Sequence, residues 1–138
     1  MGRLSQAATR RLVVERANGY CEYCQTCEEM TGQAMHVEHI DPEGGNKPDN
    51  LCLACSNCNL SKATATRAND PESGEVASLF NPRLQNWNDH FVWLDGGLRV
   101  GGSTPIGRAT VIRLKMNQER IIKARRRWIE AGVHPPTT

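Results

Sequence analysis

With 138 residues, 38% of them hydrophobic and 23% charged, the chain is long enough for one compact domain but for only a modest core. The start, Met1-Gly2-Arg3-Leu4-Ser5-Gln6, has no apolar signal region, and no apolar run is long enough to cross a bilayer, which argues against a secreted or membrane protein. The formal net charge of +2 hides an asymmetry: residues 1–105 carry 9 Lys/Arg against 13 Asp/Glu, whereas residues 106–138 carry 8 against 2, a footprint suited to a polyanion.

Ser5 is placed to cap a first helix through Ala17, with Ala8, Leu12, Val13 and Ala17 as a partial apolar stripe and Asn18-Gly19 as the stop. Met35 to Ile40 suits a short strand. The stretch Asp41-Pro42-Glu43-Gly44-Gly45-Asn46-Lys47-Pro48-Asp49 is all turn formers and predicts an exposed loop, with Asp41 bonding the loop itself. Asn50 to Ala54 resumes as a second strand. A helix is expected from Asn59 to about Ala68, where Asn69-Asp70-Pro71 breaks it.

Residues 69–89 have little periodicity and read as a long wrapping loop anchored by Leu79-Phe80-Asn81-Pro82-Arg83 and Trp87. His90 to Leu94, Asp95-Gly96-Gly97, then Leu98 to Val100 predicts a β-hairpin. Thr104 with Pro105 marks a helix start, and Asn117 begins a last helix that ends near Ala131-Gly132. In that helix Ile121, Ile122, Trp128 and Ile129 face inward, while Arg120, Lys123, Arg125, Arg126 and Arg127 crowd the remaining surface. Trp87 and Trp93 read as core residues, and His90 and His134 receive no functional role.

The cysteines carry the strongest signal. Cys21-Glu22-Tyr23-Cys24 and Cys55-Ser56-Asn57-Cys58 each have the two-residue gap that lets a tight turn aim both sulfurs at one ion, and four thiolates suit tetrahedral zinc. Cys27 and Cys52 extend both patterns. A framework of three disulfides is the alternative, but it wants an oxidising compartment. Cys52 lies in the apolar run Leu51-Cys52-Leu53-Ala54 and reads as a small core residue, whereas Cys27 sits among polar residues as a substitute ligand or a free surface thiol. Between the pairs lies His36-Val37-Glu38-His39-Ile40-Asp41, a concentrated set of acid and base groups.

Taken together, Cys21-x-x-Cys24, Glu38-His39-Ile40, Asn50-Leu51 and Cys55-x-x-Cys58-Asn59-x-x-Lys62 resemble the HNH endonuclease family, most strongly over residues 19–62. Leu79 to Arg83, Trp87, His90-Phe91-x-Trp93 and Gly107-Arg108-Ala109-Thr110 are similar to a recurring small stand-alone bacterial HNH protein. The resemblance implies an α+β fold with a ββα-metal (treble-clef-like) core and structural zinc. An N-terminal helix, a β-hairpin and C-terminal helices would flank it. The whole chain, 1–138, is then one nuclease domain with its core motif at 19–66 and a basic helical extension at 104–132.

Position by position, the resemblance makes His39 the general base that deprotonates water, a task to which an imidazole is suited at neutral pH. Glu38, where relatives usually carry Asp, and Asn59 become oxygen ligands of a catalytic Mg²⁺ or Mn²⁺. Asn50 fixes the loop and orients the His39 ring. Lys62, one helical turn beyond Asn59, is placed to hold the phosphate, and His36 to make an accessory phosphate contact. Because adjacent strand residues point to opposite faces, Glu38 and His39 serve one site only if the strand bends or ends there.

Cys21, Cys24, Cys55 and Cys58 hold zinc, while Arg125, Arg126 and Arg127 bind the DNA backbone. The expected protein is a cytoplasmic, metal-dependent DNA endonuclease that nicks with little sequence preference. No membrane partner is expected, and monomer or dimer is left open. A non-catalytic zinc module that binds nucleic acid and an RNA-directed or toxin-like nuclease are the competing classes.

Overall fold

Ser5 opens the first helix: its Oγ accepts from the Ala8 N–H at 3.0 Å, and α1 runs Gln6–Ala17 until Asn18 turns left-handed at φ 53°. The computed structural model describes residues 4–137; Met1, Gly2 and Arg3, which begin the stretch expected to lack a signal region, lie outside the described residues, as does Thr138. Among the described residues, no helix is long and apolar enough to cross a membrane. The further elements are α2 (Glu28–Thr31), β1 (His36–His39), β2 (Leu51–Ala54), α3 (Ser56–Lys62), β3 (Arg67–Asn69), β4 (Val76–Ser78), α4 (Trp87–His90), β5 (Phe91–Leu94), β6 (Arg99–Gly102), α5 (Pro105–Arg113) and α6 (Glu119–Glu130). The strands pair as three antiparallel hairpins, β1–β2, β3–β4 and β5–β6, so the fold is α+β.

The first hairpin positions the site. Its register sets His36 against Ala54, Val37 against Leu53, Glu38 against Cys52 and His39 against Leu51. All four β2 residues are buried, whereas β1 is exposed at His36 and half-buried at Val37, Glu38 and His39. The inner strand thus anchors the outer one, and full burial of Leu53 contributes about 2 kcal/mol. Arg16 of α1 ties down the end of the connecting loop, donating to the Pro48 carbonyl at 2.9 Å and the Leu51 carbonyl at 2.6 Å.

Two sequence expectations need correction here. The helix after the second cysteine pair covers Ser56–Lys62, not Asn59 to Ala68. It starts earlier because the Cys55 sulfur caps it, accepting from the Cys58 N–H, and it stops where Ala63 takes φ 49°. Arg67–Asn69 then pairs with Val76–Ser78, so the featureless 69–89 stretch holds a hairpin and the short α4. Asp70, fully buried, stabilises this turn by accepting two 2.8 Å bonds from Arg108 of α5 and one from Ser73.

The second half packs as an aromatic layer against these elements. Phe80 meets Tyr23 and Phe91 edge-on, and Trp87 stacks on Phe91 with centroids 5.1 Å apart while its indole N–H donates to the Tyr23 carbonyl. Thr104 caps α5 through the Gly107 N–H. Gly107 is obligatory for close approach, since a Cβ there would sit 1.9 Å from the His90 carbonyl oxygen. Asn117 does not open the last helix: its amide oxygen accepts from the Val100 N–H and its NH₂ donates to the Val100 carbonyl, which delays α6 to Glu119.

Candidate metal centre and active site

The cysteine pairs form two similar knuckles. In each, the first sulfur accepts from the backbone N–H of the fourth residue: Cys21 from Cys24 and Cys55 from Cys58, both at 3.5 Å. In the first knuckle Gln25 adopts φ 66° and donates to the Cys21 carbonyl. The ligand atoms of Cys21, Cys24, Cys55 and Cys58 all lie within 4.8 Å of one another, with Cys24 and Cys55 sulfurs 3.6 Å apart. Tetrahedral zinc with bonds of about 2.3 Å separates its sulfurs by roughly 3.8 Å, so this donor set fits such an ion.

Burial first, then the neighbouring sulfurs, pushes the Cys21 thiol well up. The neighbouring sulfurs do the same for Cys58. Hydrogen bonds with the same sulfurs pull Cys24 well down, and four sulfurs this close suit one shared cation. All six cysteines are free of disulfides. Cys52 is fully buried against the Tyr23 hydroxyl, and burial pushes its thiol up to about 12, an inert core residue as expected. Cys27 is neither ligand nor surface thiol: it is buried, bridged to Tyr20 outside the cluster.

β1 ends at His39. Glu38 shares its strand face with His36, and both reach α3: His36 Nε2 lies 3.1 Å from Ser56 Oγ, and Glu38 Oε1 lies 3.7 Å from Lys62 Nζ. Burial pushes the Glu38 carboxyl up, with Lys62 as the first opposing influence. Lys62 also donates to the His39 carbonyl at 3.2 Å. Asn59 precedes Lys62 by three residues on α3, so its side chain shares this face.

Lys62 itself contradicts expectation. Its side chain is 1% exposed, so it is neither a free surface lysine nor a group able to grip a phosphate from solvent. Asn50 also acts differently. Its amide is saturated by the loop, donating to the carbonyls of Asp41 and Gly45 at 2.8 Å each and accepting from the Asp41 N–H at 3.0 Å. Gly44 must lack a side chain to leave it room, because a Cβ would stand 2.8 Å from the Asn50 amide. Asn50 therefore fixes the loop but does not touch the His39 ring. That contact belongs to Asn46, whose Oδ1 lies 2.6 Å from His39 Nε2. Nothing in Gly44-Gly45-Asn46-Lys47 distinguishes Asn46 from an ordinary turn residue, so the sequence offered no signal for it.

The basic helix also divides differently than expected. Arg126 and Arg127 are exposed, but Arg125 is fully buried, donating to the carbonyls of Leu98 and Met116 and to Asn117 Oδ1. It lies over the Trp93 ring as well, 5.7 Å from the centroid. Arg125 is a packing residue that binds α6 to the β5–β6 turn, Trp93 of β5 and the α5–α6 turn, not a phosphate contact.

A strand hairpin and a short helix are enclosed by four cysteines positioned to hold a metal ion, with a carboxylate and an imidazole on the outer strand. The HNH endonuclease family model matches residues 21–64, which span both knuckles, the hairpin and all of α3. The chain carries an HNH endonuclease domain there, with four cysteines positioned to hold a metal ion. No curated protein and no solved structure matches the chain.

Proposed function

We propose that the chain is a metal-dependent endonuclease that hydrolyses phosphodiester bonds in DNA, nicking one strand with little sequence preference. One observation supports the proposal: the segment matching the HNH family carries Glu38 and His39 on β1, and Glu38 reaches Lys62 of α3, the helix that also carries Asn59. His39, donating from Nε2 to Asn46, keeps its Nδ1 lone pair for the proton of a water that attacks phosphorus. Glu38 and Asn59 offer hard oxygens to Mg²⁺ or Mn²⁺. When bound, that cation stabilises the charged transition state and the leaving 3′ oxygen, giving 5′-phosphate and 3′-hydroxyl ends.

The cysteine cluster takes structural zinc, because four thiolates leave no coordination position for water or substrate. It holds the hairpin against α3 in a treble-clef-like ββα-metal core. Asn50 keeps the loop rigid, and Arg126, Arg127 and exposed His36 contact phosphates. Residues 1–138 act as a single domain in the reducing cytoplasm, where such thiols persist.

Plasmid nicking across Mg²⁺, Mn²⁺, Ni²⁺ and Zn²⁺, with His39→Ala alongside, tests this. The variant is expected to lose at least about 100-fold in rate. Undiminished cleavage by purified His39→Ala would remove His39 as the base, and preference for structured RNA over supercoiled DNA would replace the substrate.

A further inference from the structure

The carboxylate assigned above to a divalent cation already has a buried positive neighbour. Lys62 Nζ lies 3.7 Å from Glu38 Oε1, and the two side chains are only 1% and 11% exposed. The ammonium is held on its other side by the His39 carbonyl at 3.2 Å. The segment carrying it is fixed too: the Lys62 carbonyl accepts from the Ala65 N–H at 3.0 Å and from Arg113 at 3.4 Å. A surface lysine would swing into water when a second cation arrived. Lys62 has no such exit, since its whole side chain is enclosed.

We infer that Lys62 is a resident counter-ion of Glu38 that competes with the divalent cation, so that this chain holds its catalytic metal weakly until a nucleic-acid phosphate joins the site. The inference rests on the reading of Glu38 as a cation ligand. A cation on either oxygen of this carboxylate stands a few ångströms from the ammonium, and like charges at that separation repel strongly in a partly dry site. A phosphodiester brings a negative charge that offsets the ammonium. Metal and DNA therefore raise each other's affinity, and the coupling is reciprocal. The consequence is a nuclease that stays poorly loaded away from its substrate.

Mn²⁺ binding to the zinc-loaded protein, read by electron paramagnetic resonance with and without a short phosphorothioate duplex, tests the inference without relying on turnover. Lys62→Met should bind Mn²⁺ about tenfold more tightly than wild type in the absence of duplex, because even water-like screening leaves that much repulsion to be relieved. The duplex should then add little further affinity. Lys62→Arg, which keeps the charge, should stay weak and duplex-dependent. Equal or weaker Mn²⁺ binding by a folded, zinc-replete Lys62→Met would overturn the inference.

Lys62→Gln provides the same neutralisation should Lys62→Met fail to fold. The wild-type protein alone is also decisive, since Mn²⁺ affinity unaffected by the duplex contradicts the coupling. Glu38→Gln separates the two levels. If it abolishes Mn²⁺ binding while Lys62→Met binds no tighter, only the role of Lys62 fails; if it binds Mn²⁺ like wild type, the assignment of Glu38 as a ligand fails and takes the inference with it.

Discussion

Asn46 Oδ1 stands 2.6 Å from His39 Nε2, so a loop amide sets which nitrogen of the imidazole carries the proton. An amide oxygen only accepts, which makes Nε2 the donor and leaves Nδ1 as the basic atom. Asn46→Ala should slow cleavage roughly tenfold, the usual lower cost of losing a partner that orients a reacting group. Asn46→Asp should instead move the acidic limb of the pH–rate profile to higher pH, because a carboxylate stabilises the imidazolium. An Asn46→Ala enzyme with wild-type rate and profile would show that the contact does not orient the base.

Arg125 and its neighbours should separate stability from binding. Arg125→Gln leaves the Leu98 and Met116 carbonyls and Asn117 without their donor, a loss of about 3 kcal/mol in denaturant unfolding. Arg126→Gln and Arg127→Gln should change stability by no more than about 0.5 kcal/mol. Combined, they should lower the slope of log affinity against log salt by about 2 on duplex DNA. A salt slope that falls with Arg125 and not with the pair would reverse the assignment.

The proposed catalytic cation and the four-sulfur site should respond differently to chelation. A weak chelator should stop turnover while circular dichroism stays native, because the oxygen-ligated cation exchanges freely. Stripping the four-sulfur site, or Cys58→Ser, should release zinc and unfold the hairpin together, since metal binding there is folding free energy. Zinc release without loss of structure would mean that the core stands unaided.

The Asp70–Arg108 pair predicts an acid-sensitive segment. Arg108 holds the Asp70 carboxyl well below the usual carboxylate range, with the Glu72 N–H and Ser73 hydroxyl adding to it. A depressed folded-state pKa stabilises the protein fully above the unfolded value near 3.9 and loses that stabilisation as pH falls through it toward the folded value. Asp70→Asn should therefore melt lower than wild type at pH 7, and the gap should narrow below about pH 4. A constant gap across that range would make the contribution packing, not charge.

Local chemistry was readable along the chain wherever neighbouring residues complete the interaction. Ser5 caps α1 and Thr104 caps α5 through backbone N–H groups three residues away, and each cysteine pair closes its own knuckle, so these features appear in spacing alone. The β3–β4 hairpin did not appear, because its strands are three residues each and Asp70 is secured by Arg108, far along the chain.

The amino-acid order alone determined the four-sulfur clip, the acid and base beside it and the basic bias of the C-terminal segment, because residue identity and short spacing suffice for each. Tertiary structure decided which charges meet solvent. Arg125, Arg126 and Arg127 are indistinguishable in sequence, yet helical rotation buries the first against Trp93 and the β5–β6 turn and exposes the others. Lys62 likewise became the buried partner of Glu38, and Asn46 the partner of His39, only when the hairpin closed on α3 and the loop folded back across it.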